Sequence, residues 1–289
     1  MHTVSEIARR LAEYGSYSPT DDALTLVSFI TQKPRSSLLA ERNSPLPEEY
    51  SHAIDDALAK RSQHIPLQYI LGEWEFWGMR FYVDDSCLIP RPDTEILVSA
   101  ALDFLNKYSP RGAKILDLCT GSGCIAAAIL HSRNNSADRA VLADISEDAL
   151  ETARKNLRLH SLADKASVMP ADVREDFLPP DELFDAVTAN PPYIAADEMP
   201  SLAPELSHEP KIALTDGGDG LSLIRAVVAN FSRHLKKGGR MFIEHGCAQK
   251  EAAARIAEEY GMAHEVIRDY GGNDRCTVLR KADGESEIR

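Results

Sequence analysis

In the segment AVTANPPYIAA, an apolar run ends on a carboxamide, two prolines and a phenol: Asn190-Pro191-Pro192-Tyr193. Adjacent prolines remove two backbone donors and fix the chain direction. The result is a stiff corner rich in carbonyl oxygens. Such a corner suits a planar nitrogen, as in an amide or an exocyclic base amine. The lone pair of that nitrogen is delocalised, so a site that alkylates it must hold both N–H groups with acceptors and leave the lone-pair direction open. The Asn190 side-chain oxygen and the Pro191 carbonyl are such acceptors, and the Tyr193 ring can stack on a planar group. This is catalysis by positioning and preorganised dipoles. The bland alternative is that Asn-Pro-Pro is only a turn.

A second cluster is DLCTGSGCIA, with Asp117, Cys119, Thr120, Gly121, Ser122 and Gly123. Gly121 to Ala126 fits the G-x-G-x-x-G/A pattern of a nucleotide-binding strand–helix junction, and Asp144, followed by Ile145, lies about 20 residues on, where it can take two ribose hydroxyls. The loop by itself suits either a dinucleotide or S-adenosylmethionine. Asp117 sits just before the loop, where a carboxylate repels a pyrophosphate but can hold an ammonium, directly or through water. The loop also has no Lys or Arg for phosphate. Asp172, at a third strand end, can accept from an adenine amino group. Singly, each aspartate reads equally as a cap or turn residue; together with the loop they favour the sulfonium cofactor.

Other tempting residues have plainer readings. His245 in IEHG is expected to be structural. DGGDG (Asp216 to Gly220) lacks the spacing of a calcium loop and reads as a turn. Arg275 is expected to pair with an acidic neighbour. Cys119 and Cys124 have no metal-ligand companions, so no metal is expected.

The elements that must position these residues alternate from about residue 113. AKILDLC, AVLADI, ASVMPAD and FDAVTAN read as strands, separated by helices such as SEDALETARKNLRLH with Ser146 as N-cap. GLSLIRAVVANFSRHLKKGG reads as a helix closed by Gly238 and Gly239, before the strand RMFIEHG, the helix QKEAAARIAEEYG and two last strands. Repeated βα units predict an α/β, doubly wound, mostly parallel sheet. Upstream, WEFWGMRFYVDD reads as a β-hairpin around Gly78, and EILVSAALDFLNKY as a helix. The first 70 or so residues carry short amphipathic helices, with Val4, Ile7 and Leu11, then Leu24, Val27 and Ile30, then Tyr50, Ile54 and Leu58 in register. The domains expected are a helical bundle at 1–73, a hairpin linker at 74–92, a catalytic domain at 93–282 and a disordered tail at 283–289.

The chain has 289 residues, 44% of them hydrophobic and 27% charged, with a formal net charge of −13. That charge argues against a nucleic-acid backbone as the main partner. No apolar run reaches the roughly 20 residues that span a bilayer, and the acidic N-terminus is not a signal peptide. Five cysteines without a CxxC pair suit a reducing cytoplasm.

With these residues in view, the chain resembles the HemK/PrmC family, the protein-(glutamine-N5) methyltransferases that act on peptide chain release factors. The resemblance rests on PLQYILGEWEFWGMRFYV, LIPRPDTE, DLCTGSGCIA, NPPYI, HEPKIALTDGGDGL, IEHG and RDYGGNDR, and covers nearly the whole chain. It implies a Rossmann-like methyltransferase fold with a seven-stranded sheet, preceded by a helical bundle; that bundle shows no chemistry of its own and is expected to dock the release factor. It also implies S-adenosyl-L-methionine as donor, S-adenosyl-L-homocysteine as product, and the glutamine of the Gly-Gly-Gln motif of class-1 release factors as acceptor. A cytoplasmic monomer with no nucleic-acid or membrane partner is expected. Carried over to this chain, Cys119 to Gly123 surround the methionine part of the donor, Asp144 takes the ribose, and Asp172 and Val173 lie by the adenine. Thr94 and Glu95 belong to a lid, Asn190 binds both the donor and the glutamine sides of the crevice, and Pro191, Pro192 and Tyr193 complete the glutamine pocket. Many members have Gly at Cys119, where little effect is expected, and an aromatic residue at Val173, whose loss would weaken stacking by about 1 kcal/mol. The alternatives are a ribosomal-protein glutamine methyltransferase, a nucleic-acid amino methyltransferase that flips a base into the same corner, and an NAD-dependent oxidoreductase.

Overall fold

The structure is a computed structural model that describes residues 2–282; the expected tail at 283–289 lies outside the described residues. The chain divides into two compact units, Met1–Glu73 with Ala203–His208, and Trp74–Leu202 with Glu209–Arg289.

The first unit holds α1 (Val4–Glu13), α2 (Pro19–Thr31), α3 (Arg35–Ala40), α4 (Ser51–Arg61) and α5 (Leu67–Leu71). The Thr3 hydroxyl caps α1 by accepting from the Glu6 N–H at 3.1 Å. Ile7, Leu11, Val27, Ile54 and Leu58, on the positions that the helical periodicity selects, form the core together with Leu67. The helices α3 and α5 were not expected. They have 6 and 5 residues, too few to show a period, and each starts after a proline, Pro34 and Pro66. Arg61 is 2% exposed. Its guanidinium donates to the Ile65 carbonyl at 2.6 Å and to the Glu205 carboxylate. That pair ties the remote segment Ala203–His208 into the helical unit.

From Trp74 on, the second unit holds the hairpin of β1 (Glu73–Phe76) and β2 (Met79–Tyr82). Its turn places both Trp77 (φ 56°) and Gly78 (φ 66°) in the left-handed region, as a tight two-residue hairpin turn requires. Trp77 tolerates this because it is anchored elsewhere: its N–H donates to Glu95 Oε1 and its indole to Ser132 Oγ, each at 2.8 Å.

Next come α6 (Glu95–Tyr108), β3 (Lys114–Leu118), α7 (Cys124–Arg133), β4 (Arg139–Asp144), α8 (Glu147–Leu159), β5 (Ala166–Pro170) and β6 (Phe184–Ala189). The chain continues through α9 (Lys211–Leu214), α10 (Ser222–Phe231), β7 (Leu235–Glu244), α11 (Lys250–Glu259), β8 (Met262–Arg268) and β9 (Asp274–Lys281). The seven-stranded sheet has the order β5-β4-β3-β6-β7-β9-β8. All neighbours are parallel except β9, which runs antiparallel to β7 and β8. The expected mostly parallel, Rossmann-like sheet is what forms. Both faces are covered: Ile115 packs with Leu97, Val98 and Ile129, while Leu116 and Leu118 pack with Ile224, Val228 and Phe231. The strand order reverses between β3 and β6, which opens a crevice at their carboxyl ends.

The helix expected to run to Gly239 stops at Phe231 instead, and β7 already starts at Leu235. Leu235 pairs with Phe184, and after a register shift Arg240 pairs with Ala186. Gly238 takes φ 80°, and a Cβ on Gly239 would lie 3.0 Å from the Phe184 carbonyl oxygen. The two glycines serve an irregular strand start pressed against β6.

Candidate active site

Two strand ends meet at the crevice. After β3, Cys119 (φ 53°), Gly121 (φ 53°) and Gly123 (φ 77°) turn the chain into α7. Gly123 is needed twice over, since a Cβ there would also meet Ala153 Cβ at 3.1 Å and Leu142 Cδ2 at 3.3 Å. Asp144, at the end of β4, holds the loop from the side: Oδ2 accepts from the Gly121 N–H and Oδ1 from the Ser146 N–H, both at 2.9 Å. Burial raises the Asp144 carboxyl above its ordinary value, and these N–H groups counter the rise.

Asp117 is fully buried, and its oxygens accept from the Thr120 hydroxyl at 2.5 Å and the Thr188 hydroxyl at 2.6 Å. Burial pushes it up to about 6, against those two hydroxyls. It clamps the loop to β6 from below and does not reach the cavity. Asn156 of α8 does related work. Its amide donates to the Ser122 carbonyl at 2.9 Å and the Tyr82 carbonyl at 3.1 Å, and its oxygen accepts from the Tyr82 N–H at 2.7 Å. Sequence reasoning missed it, because a mid-helix asparagine carries no signal of which backbone it will meet.

After β6, Asn190 Nδ2 donates to Thr94 Oγ1 at 3.3 Å. The Tyr193 hydroxyl donates to Glu244 Oε1 at 3.2 Å, and the Tyr193 carbonyl accepts from Gln249 Nε2 at 2.9 Å. Burial pushes the phenol well above its usual range, with the Glu244 charge adding to the rise. Behind the corner, Asp216 accepts from the N–H groups of Gly218 (2.8 Å), Gly220 (3.0 Å) and Ser222 (2.9 Å). Burial alone would raise Asp216, but the Ser222 hydroxyl and these N–H groups outweigh it and hold the carboxyl low. The DGGDG segment is therefore an ordered turn, and Gly220 packs directly on the Tyr193 carbonyl.

Both corners open on a cavity of about 280 Å³. Its wall includes Thr94, the run Cys119–Ser122, Asp144, Ile145, Asp172, Val173, Asn190 and Pro192. Glu95, Asp117, Gly123, Pro191 and Tyr193 are not on that wall: Glu95 turns to the hairpin, Asp117 and Gly123 lie under the loop, and the Tyr193 phenol faces Glu244. Residues without an expected role complete the wall, notably Cys87, Arg91, Ile212 and Leu223. Burial pushes the Cys87 and Cys124 thiols up to about 12, so neither is a thiolate at neutral pH. His245 lies away from the wall, with Nδ1 at 2.9 Å from the Gly246 carbonyl and Nε2 at 2.9 Å from the Thr277 hydroxyl.

The donor set suits S-adenosylmethionine. The two cations on the wall are already paired, Arg91 with Glu209 and Arg174 with Asp172 at 2.7 Å, which leaves no counter-charge for a pyrophosphate. Asp144 keeps lone pairs beyond the two it spends on backbone, and the glycine cradle leaves open space above Gly121, where a Cβ would have only Cys87 within reach at 4.0 Å. Asp172, with both oxygens on Arg174, is held below its usual range by that guanidinium.

Residues 2–72 match the family described as PrmC N-terminal domain, and residues 94–224 match the Methyltransferase small domain. The catalytic domain of hMettl16, solved with an RNA hairpin, superposes with a TM-score of 0.56 at 14% identity, covering 79% of this chain and 83% of that one; that likeness shows the fold. Among curated relatives, the release factor glutamine methyltransferase of Neisseria gonorrhoeae is 36% identical over 90% of this chain and 93% of its own length. That of Cereibacter sphaeroides is 38% identical over 94% of both. On this likeness along nearly its whole length, the chain belongs to the release factor glutamine methyltransferase family.

Proposed function

We propose that this chain transfers a methyl group from S-adenosylmethionine to the side-chain amide nitrogen (N5) of the glutamine in the Gly-Gly-Gln motif of a class-1 peptide chain release factor. The observation that carries this reading is one cavity walled by both the glycine loop with Asp144 and the Asn190 corner. S-adenosylmethionine, when bound, supplies the electrophilic methyl group. Asp144 holds the ribose hydroxyls with its remaining lone pairs, while Ile145 and Val173 offer apolar surface to the adenine. Asn190, on the wall, accepts one N–H of the glutamine with Oδ1, and the Pro191 carbonyl, off the wall but between the wall residues Asn190 and Pro192 in sequence, is assigned the other. That arrangement leaves the nitrogen lone pair facing the donor, and the proton departs once the new bond has formed. Tyr193 supports the corner through its two anchored ends. The helical unit at 1–73 docks the body of the release factor. The protein acts as a monomer in the cytoplasm, a compartment that suits its five free cysteines. No helix among the described residues is long and apolar enough to cross a membrane.

The test is transfer of labelled methyl from S-adenosylmethionine to a recombinant release factor by the purified chain. Labelling is expected, and it should disappear when glutamate replaces the glutamine of the Gly-Gly-Gln motif. Labelling that survives that replacement would overturn the acceptor assignment.

A further inference from the structure

We propose that Ile212 is a specificity-determining residue for the acceptor backbone: it admits the glycine that precedes the glutamine and turns away a residue with a side chain there. This inference rests on the function proposed above and names what that site reads besides the amide. Among the described residues, two exposed large hydrophobic side chains line the cavity, Ile145 (45%) and Ile212 (53%). Ile145 follows Asp144 and faces the donor. Ile212 lies in α9 and stands on the other side.

The sheet order identifies that side. Asp144 ends β4, the glycine loop follows β3 and the Asn190 corner follows β6, in the spatial order β4-β3-β6. The C-terminal end of α9 is fastened beyond β6: the Ile194 N–H donates to the Leu214 carbonyl at 3.0 Å, and Ile194 and Thr215 form a parallel bridge. Ile194 directly follows the Asn190–Tyr193 corner. Just before α9, the buried Glu209 carboxylate accepts from the Ile89 N–H at 3.1 Å and from the guanidinium of Arg91, itself a wall residue. Within the turn the Ala213 N–H donates to the Pro210 carbonyl at 2.8 Å, and Leu214 is buried.

A short helix clamped at both ends does not recede from a ligand, and a β-branched side chain has little freedom at χ1. Ile212 offers no hydrogen bond, so it reads shape alone. Glycine passes such an edge because it has no Cβ, whereas alanine at the same place sets a methyl group against the Ile212 side chain. Specificity of this kind comes from exclusion. It complements the Asn190 corner, whose acceptors address the side-chain amide and not the residue before it.

The experiment pairs wild type, I212A and I212F with two recombinant release factors, the natural one and one in which alanine replaces the glycine just before the glutamine. Labelling of the natural factor by wild type comes first; its absence removes the proposed function, and this inference with it. With that labelling in hand, wild type is expected to lose about 10–100-fold in kcat/KM on the alanine-bearing factor, the range that one small group commands in a fitted apolar pocket. I212A should recover most of that loss, and I212F should be impaired on the natural factor too. S-adenosylhomocysteine affinity, measured by calorimetry, should be alike in all three, which also shows that the variants are folded. Equal discrimination by wild type and I212A would overturn the inference and leave the proposed function standing, as would wild type labelling both factors equally fast. An I212A variant that loses S-adenosylhomocysteine affinity would place Ile212 on the donor side and overturn it as well.

Discussion

The glycine loop after β3 and the proline corner after β6 end neighbouring strands, yet they are held by opposite means. The loop is held through its own backbone. Three left-handed residues set its path, and Asp144 and Asn156 grip its N–H and C=O groups. The corner is stiffened by its prolines, but its aim comes from side chains far away in sequence: Thr94 before α6, Glu244 at the end of β7, and Gln249 just beyond. A loop of the first kind is specified locally. A corner of the second kind exists only once the sheet has assembled, because its supports arrive on three different segments.

The sharpest way to break the comparison is to delete one contact on each side. N190A is expected to reduce methyl transfer about 10²–10³-fold, on the scale of losing one preorganised group at a reacting centre, with S-adenosylhomocysteine affinity changed little. D144A should do the converse, weakening that affinity about 10–100-fold, as loss of hydrogen bonds to a charged group implies, while kcat at saturation falls less. Calorimetry with steady-state kinetics checks both; equal effects of the two variants on affinity would merge the two regions into one.

A smaller contrast concerns the backbone. A Cβ at Gly220 (φ +76°) would lie 2.2 Å from the Tyr193 carbonyl oxygen, whereas at Gly121 (φ +53°) the nearest atom is Cys87 Cβ at 4.0 Å. G220A should therefore cost about 3 kcal/mol or more, and G121A only the left-handed penalty of about 1–2 kcal/mol. Denaturant midpoints at constant m-value measure this, and a G121A as damaging as G220A would show that the loop is as crowded as the corner.

A further contrast is in the pH dependence of stability. Burial lifts Asp117 from 3.8 to about 6. A buried acid raised in the folded state gives its stabilisation fully below the unfolded value, and that contribution is lost as pH rises through the folded one. Wild type should thus lose stability relative to D117N between about pH 4 and 6. Parallel melting curves across that window would show that Asp117 is not held in the way its burial implies.

Reading from residues alone reached most of the sheet and both strand ends. The helix at 95–108 is visible because apolar residues recur with a helical period and a proline-rich stretch precedes it. The glycine loop is visible because only glycine-like positions can turn so sharply. The helix expected to run through Gly238 and Gly239 failed for a physical reason: glycine pairs end helices and also permit irregular strands, and only the neighbour, here the Phe184 carbonyl, decides between them. The short helices α3 and α5 lacked the length to show a period.

By itself, the sequence determined the α/β alternation, the nucleotide loop with Asp144, and the NPPY corner, since each depends on residue type and local spacing. Only the tertiary structure decided that Asp117 and Tyr193 turn away from the cavity, and that Asp172 is tied to Arg174. Only assembly brings Thr94 to Asn190 and Glu244 to Tyr193. The reason is that hydrogen-bond direction and burial belong to pairs of segments, and pairing is fixed only when the strands that carry them lie side by side.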